Sequence, residues 1–306
     1  MSTNSTALDG LPQGFSLTGG IPTMAQDFAA SIIFTIAYAL VIPLLTLRIC
    51  RKSSRTLVLI RPAIFISLRI ATFVVRAMQA DGNESEGLFV AEQIFLLCGF
   101  LLLLEPFATL VKYNIYRDWI PEGRKDNLSR LLLLVHLAVY TAIGLGIYTG
   151  SSTSKATTDP DLAETLKHCR WASAGIALAV VLVSLALAIY AQITGVSDLR
   201  RTGYLGALGT FLLIPSVYRL VLYGDPSHPF SASGKAVFYI LFVLPEYLAV
   251  LMCLSINLQT TFDIKEGSAK EKWNRKAKKG KVTGTYSSPY DSSPFESHEM
   301  IAKEQA

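Results

Sequence analysis

Histidine and cysteine are scarce in this chain, which has four of each among its 306 residues. A zinc enzyme built between membrane helices needs several histidine ligands, and only His136 lies within an apolar run of the sequence. The cysteines are Cys50, Cys98, Cys169 and Cys253, and the topology argued below places only Cys169 on the outer side. The sequence therefore excludes an extracellular disulfide within the chain, and it predicts no bound metal ion.

The chain also lacks the sequence signatures of several membrane-protein activities. Its seventh apolar run has no lysine near the middle to hold retinal as a Schiff base, and no G-x-x-x-x-G-K-[ST] phosphate-binding loop occurs. The third run ends in VKYNIYRDW rather than in the Asp-Arg-Tyr triplet of rhodopsin-type receptors, and the seventh lacks their Asn-Pro-x-x-Tyr sequence. We therefore predict a protein that is not an enzyme, has no cofactor and has no nucleic-acid partner.

Charge is scarce as well, because only 17% of the residues are charged whereas 51% are hydrophobic, and the mean hydropathy is +0.40. A helix crosses a bilayer with about 20 apolar residues. Seven runs meet this requirement, at residues 28–48, 56–80, 88–113, 130–150, 171–192, 204–223 and 236–259. The first has no basic segment before it, which argues against a cleaved signal peptide. The composition predicts an all-α, polytopic membrane protein, a bundle of seven transmembrane helices in the plasma membrane or an endomembrane.

Lysine and arginine between the runs predict the orientation of the chain. Residues 1–27 contain neither, and the loop 81–87, DGNESEG, carries only acidic charge. The loops after the first, third and fifth runs hold Arg48, Arg51, Lys52, Arg55, Lys112, Arg117, Arg124, Lys125, Arg130, Arg200 and Arg201. The opposite loops contribute only Lys155, Lys167, Arg170 and Lys235. We therefore expect the N-terminus outside and the C-terminus in the cytoplasm.

The same reasoning divides the chain into three segments. Residues 1–27 form an extracellular segment, 28–260 the seven-helix transmembrane domain, and 261–306 a cytoplasmic tail that is first basic and then rich in serine and proline. Asn4 and Asn83 begin glycosylation sequons on the outer side. In the tail, the basic cluster and one aromatic residue are predicted to bind anionic lipid headgroups, through Lys276, Lys278, Lys279, Lys281 and Trp273.

Three arginines interrupt the second run, TLVLIRPAIFISLRIATFVVRAMQA. Arg61, Arg69 and Arg76 fall within about 80° of the helix surface at 100° per residue, so one face carries all three. An arginine in the membrane costs about 2.5–3.5 kcal/mol even on the most lenient scale. We therefore expect this face to point into the bundle, where acidic residues can neutralise it.

Acidic residues of the other runs lie at matching depths, measured from the helix ends. Three pairs follow: Arg76 with Glu92, Arg61 with Glu105, and Arg69 with Glu246. Arg219, in the outer half of the sixth run, is expected to line the same polar region. Arg61 and Arg76 are near enough to a surface to extend toward it, so Arg69, Arg219 and Glu246 are the strongest candidates for a ligand or translocation site. The alternative is a set of charges that only fixes the helix register.

Two short sequences carry a family resemblance: IPSVYRLVLYG in the sixth run and FVLPEYLAVLMCL in the seventh. With seven runs and a short basic-acidic tail, the chain resembles the fungal lipid-translocating exporters, a seven-helix family linked to aminocholesterol resistance. The resemblance covers about residues 28–262 and implies that the family's Tyr-Arg pair and glutamate correspond to Tyr218, Arg219 and Glu246. The loop GDPSHPFSASG lacks the longer, glutamate-bearing element of that family, so a sister family with no assigned role is the alternative.

Three functions remain after these exclusions. The resemblance and the charged interior favour translocation of a lipid or small amphiphile, or resistance to lipid stress. The basic cytoplasmic loops are typical of a seven-helix sensor that signals to a cytoplasmic protein. The third hypothesis is a structural membrane protein whose internal charges only hold its helices together.

Overall fold

The computed structural model describes residues 17–264 except 52–53, 55, 84, 117–121, 196, 225–231 and 263. Within these residues, seven helices are long and apolar enough to cross a membrane, and no strand occurs. They are α1 (Met24–Cys50), α2 (Leu57–Ala80), α3 (Glu86–Tyr116), α4 (Glu122–Ser151), α5 (Pro160–Ile193), α6 (Leu199–Gly224) and α7 (Ser233–Ser255), followed by the one-turn helix α8 (Leu258–Thr261). The predicted sequon at Asn4 and the lipid-binding tail lie outside the described residues.

The fifth helix is longer than its apolar run, which was expected to begin at residue 171. It begins at Pro160, where the side chain of Asp159 accepts the backbone N–H groups of Asp161 and Leu162 at 3.1 and 3.2 Å. An aspartate at the N-cap followed by proline is a strong start signal for a helix. The placement of Arg170 in a loop was therefore wrong, because α5 carries this residue into the bundle.

The first and last spans also differ from the expected boundaries at their ends. Helix α1 begins at Met24 with a wide π-helical turn, so Asp27 lies inside the helix rather than in the segment before it. Helix α7 stops at Ser255, four residues before the predicted end, and Asn257 then caps α8. In both cases a polar residue marks the difference: Asp27 lies within the first turn of α1, and Asn257 caps α8 after α7 has ended.

Successive helices are neighbours, and contacts of α7 with α1 and α6 close the ring. Helix α3 also touches α5 and α6. It is the most buried of the seven spans, with 78% of its most apolar 18-residue stretch inside the protein. We refer to the end of the bundle that contains the start of α1 as its N-terminal end, and to the end that contains the last turn of α7 as its C-terminal end.

The distribution of side chains is inverted relative to a protein that folds in water. Large apolar residues such as Leu133 and Ile193 are 69% and 78% exposed, whereas Arg69, Arg76 and Arg219 are completely buried. A continuous apolar exterior of this kind suits contact with lipid chains. The helices are those of a multi-pass membrane protein, as the composition predicted.

Helix α7 contains an irregular turn that shapes the interior. Residues Phe238–Val243 form a π-helix, and the N–H of Leu244 donates to the carbonyl of Tyr239 five residues earlier. The extra residue in the turn brings Phe238, Tyr239 and Phe242 to buried positions on the inner face. Pro245 comes two residues after the turn and has no N–H to donate to a backbone carbonyl. π-helical turns are frequent at functional sites.

Candidate functional site

The three arginines of α2 are paired with the glutamates expected from their depth. Arg76 contacts Glu92, Arg61 contacts Glu105, and Arg69 lies 2.6 Å from Glu246. Arg69 and Arg76 are fully buried, and the Arg61 side chain is one-third exposed. The predicted inward orientation and pairing are confirmed; that these residues bind or move a ligand stays a prediction.

The pair between Arg69 and Glu246 lies near the middle of both helices. Arg69 Nη2 donates to Glu246 Oε1, and its guanidinium lies 5.1 Å from the ring centre of Phe65 and 5.4 Å from that of Phe242. Gly99 of α3 leaves space for this group, since a Cβ there would be 3.3 Å from Arg69 Cζ. Among the described residues, Glu246 Oε2 has no hydrogen-bond partner. The pair is therefore surrounded by aromatic rings and the α3 backbone, but one carboxylate oxygen of Glu246 accepts no hydrogen bond.

A second cluster, which we call the Asp27 cluster, joins α1, α2, α3 and α7 at the N-terminal end. Asp27 accepts from Arg76 at 2.7 Å, from Tyr239 at 3.0 Å and from Lys235. Arg76 also donates to Glu92, so the cluster contains two cations and two carboxylates. The charges balance, which limits the cost of burying them, although Glu92 Oε2 has no hydrogen-bond partner among the described residues.

Sequence reasoning missed Asp27 and Lys235, which it assigned to the outer segment and the outer margin of the seventh run. Both lie within one or two turns of a helix end, where a charged residue usually reaches water. Here both side chains turn inward and are almost completely buried. The contact between Lys235 and Asp27 could be predicted only if α1 and α7 were known to be neighbours. The residue spacing within either run does not indicate which helices are neighbours.

The segment 17–20 lies against the same cluster. The Gly19 carbonyl accepts from Arg76, and Thr18 shares a hydrogen bond of 2.8 Å with the hydroxyl of Tyr223. Gly19 has φ +81°, and a Cβ there would lie 3.0 Å from both Arg76 and Phe238. Only glycine fits this left-handed and crowded position. The segment is thus tied to α2 and α6 as well as to α1.

The third pair occurs toward the C-terminal end of the bundle. Glu105 contacts Arg61 and accepts the hydroxyl of Thr109 at 3.1 Å, and His136 Nε2 lies 4.0 Å from it. His136 Nδ1 is 2.7 Å from the carbonyl oxygen of Leu132, which places the ring proton on Nδ1. His136 therefore faces the bundle as a polar neighbour of Glu105.

Arg219 of α6 has a different environment from the other buried cations. Its guanidinium lies 5.4 Å from the ring centre of Phe100 and 5.9 Å from that of Tyr223. Within the part of the chain that the structure describes, none of its three side-chain nitrogens has a hydrogen-bond partner. Arg219 is in electrostatic range of Glu246, as expected for a shared polar region, and of Arg170, whose Nη2 donates to Thr153 at 2.8 Å.

A groove of about 660 Å³ lies between α6, α7 and the segment 17–20. Its wall is mostly apolar and consists of Leu17, Gly19, Gly20, Thr210, Leu213, Ile214, Val217, Tyr218, Val221, Leu222, Ser233, Gly234, Val237 and Leu241. Val217, Val221, Val237 and Leu241 are exposed, so the groove opens on the outer surface of the bundle. Tyr218, a predicted site residue, is part of this wall and lies next to Phe242, with ring centres 5.9 Å apart.

Asn83 and Ser85, the first and last residues of the second sequon, are exposed between α2 and α3. In the described ranges, no three His, Cys, Asp or Glu side chains come together to hold a metal ion. The likeness to the fungal exporters rests on the short sequences quoted above and stays a prediction. No protein-family model matches the chain, and neither a curated protein nor a solved structure matches it.

Proposed function

We propose that this integral membrane protein binds a lipid or another amphiphile in the groove between α6 and α7 and moves it across part of the bilayer. The observation that carries the proposal is the apolar groove itself, which opens on the exterior of the bundle and lies beside a charged interior. Concave sites that are mostly apolar with a few polar groups are typical of small-molecule binding.

The dimensions of the groove suit a lipid chain from one leaflet. Along α6 its lining residues extend from Thr210 to Leu222, which is about 18 Å at 1.5 Å per residue. The hydrocarbon core of a bilayer is about 30 Å thick, so the groove covers somewhat more than one leaflet. A chain that enters laterally would exchange lipid contacts for equivalent apolar contacts with the protein.

The backbone on both sides of the groove supports movement rather than a purely structural role. Helix α6 contains Pro215, and α7 contains the π-helical turn Phe238–Val243 followed by Pro245. These features interrupt the regular hydrogen bonding of both helices that form the wall, as Pro43 and Pro106 do in α1 and α3. Interrupted helices next to intramembrane charges are a feature of transporter sites.

Filling the groove tests the proposal. We expect V217W to reduce photo-crosslinking of an amphiphile bearing a diazirine on its chain at least fivefold, because indole occupies the entrance. The matched control is L133W on α4, another exposed apolar position outside the groove, which should leave labelling unchanged. Vesicles containing either variant, assayed for transfer of a fluorescent lipid between leaflets, then test movement. Equal labelling of V217W and the wild type would contradict binding in the groove.

A further inference from the structure

Arg219 combines complete burial with a lack of bonding. A guanidinium has five N–H donors, and among the residues described here none of those of Arg219 has an acceptor. Arg69, Arg76 and Lys235, by contrast, each donate to a carboxylate. An unpaired buried charge is one of the most destabilising arrangements in a protein, and it persists where another requirement maintains it.

We propose that Arg219 binds the anionic group, a phosphate or carboxylate, of the ligand that enters the bundle. The proposal rests on the proposed function and specifies its ligand as an anionic amphiphile. The planar guanidinium presents paired donors that match a carboxylate or phosphate in two-point contact. The rings of Phe100 and Tyr223 lie against the guanidinium but accept none of its N–H groups, which are without an acceptor in the described part of the chain.

The surrounding charges favour an anion at this position. Glu246 is within electrostatic range of Arg219, but its Oε1 is bonded to Arg69, and its Oε2 has no hydrogen bond to Arg219 or to another described residue. Arg170 is close enough to Arg219 for the two positive charges to repel each other. An anion next to Arg219 would relieve this repulsion and supply the missing acceptors.

A series of aromatic rings connects the groove with Arg219. Tyr218 lines the groove and lies against Phe242 at 5.9 Å between ring centres; Phe242 lies 6.1 Å from Phe100, and Phe100 lies next to the guanidinium. Tyr218 and Arg219 are also consecutive in α6. These rings separate the groove from Arg219, so the headgroup of a ligand whose chain occupies the groove reaches the guanidinium by displacing them.

The first test compares the unliganded proteins. With only neutral lipid present, R219M should raise the midpoint of thermal unfolding, because it replaces an unpaired charge by an apolar side chain of similar length. The control R201M changes another arginine of α6, which lies near Asp198 at the C-terminal end of the bundle, and should not raise the midpoint. A lower midpoint for R219M would show that Arg219 has a partner within the protein, such as Glu246 Oε2, and would overturn the proposal.

The second test adds the anion to the full chain in lipid nanodiscs. Phosphatidic acid in place of phosphatidylcholine should raise the unfolding midpoint of the wild type and of R201M, and R219M should lose this response. R219K should retain part of it, because lysine keeps the charge. If inorganic phosphate raises the midpoint of the wild type as much as phosphatidic acid does, the bound anion is a free ion. If only phosphatidic acid raises it, the anion is a lipid headgroup. In both cases R219M must lose the response, and a response that R219M retains contradicts the proposal.

Failure of this inference can be distinguished from failure of the proposed function. If V217W abolishes crosslinking of an amphiphile whereas R219M leaves the effect of phosphatidic acid intact, the groove binds its ligand without Arg219, and the inference is wrong. If the wild type is not crosslinked by any amphiphile but phosphate stabilises it through Arg219, the anion site exists and the proposed function is wrong.

Discussion

Arg69 and Glu246 are each other's only charged hydrogen-bond partner among the described residues, and both are completely buried. Removing one member of such a pair leaves an uncompensated charge in a medium of low polarity. The position of each residue along its apolar run was sufficient to predict this contact. A buried charge in a membrane can pair only with a residue at a similar depth in the bilayer. The same reasoning predicted Glu105 for Arg61 and Glu92 for Arg76, but not Asp27, the second carboxylate that Arg76 contacts.

R69A and E246A are each expected to lower the free energy of unfolding by about 3–5 kcal/mol. The charge-swapped variant R69E/E246R should recover about 1 kcal/mol or more relative to the sum of the single losses, because the two residues interact directly. Thermal unfolding in detergent measures stability, and the lipid-transfer assay measures activity. Recovery of stability without activity would indicate that the site needs the charges in their original places; strict additivity would contradict the pair.

Other interior residues could not be predicted from depth. Arg170 sits one position before an apolar run, and Asp27 one position before another, so each has the appearance of a boundary residue. Their burial depends on where the helix begins and on which helices are neighbours. The Asp159-Pro160 sequence indicates where α5 begins, and with it the burial of Arg170 could have been predicted. The contact of Asp27 with Lys235 could be found only from the tertiary structure.

The π-helical turn of α7 sets the relative orientation of two interior contacts. Tyr239, within the turn, donates to Asp27, and Glu246, after it, accepts from Arg69. A regular helix through the same residues would rotate one contact relative to the other by about 100°. The apolar pattern of FYILFV gives no indication of this extra residue, so the sequence predicted a seventh span at 236–259 without it.

Deletion of Ile240, an exposed residue of the π-helical turn, should convert it to a regular α-helical turn and break one of the two contacts. We expect a loss of about 2 kcal/mol or more in stability, because a buried charged hydrogen bond is lost. The control I240L keeps the chain length and should be within about 0.5 kcal/mol of the wild type. A deletion variant as stable as the wild type would show that the turn does not determine either contact.

Among the described residues, the bundle carries large apolar side chains on its outside and buried charges inside, and the existence of seven spans follows from composition alone. Its orientation in a membrane is a separate matter, determined by the basic loops rather than by the bundle. The sequence places those loops at the C-terminal end, for example with Arg48, Lys112 and Arg200, and the acidic turn 81–87 at the N-terminal end.

We expect an epitope tag at residue 2 to be accessible to antibody on intact cells, and a tag at residue 306 only after permeabilisation. The reason is the excess of lysine and arginine in the loops on the side of the C-terminus. A tag on a known cytoplasmic protein controls for leakage. Detection of both tags on the same side would contradict seven crossings, and a reversed pattern would contradict the orientation.

Residues 17–20 form part of the groove wall and also supply the carbonyl that accepts from Arg76. A ligand that pushes this segment aside must therefore weaken the bond between Gly19 and Arg76. Binding in the groove and the integrity of the Asp27 cluster are thus thermodynamically linked, and linkage is reciprocal. Under the proposed function, the factor by which a bound ligand weakens the Asp27 cluster equals the factor by which an intact cluster weakens ligand binding, because Gly19 both lines the groove and accepts from Arg76.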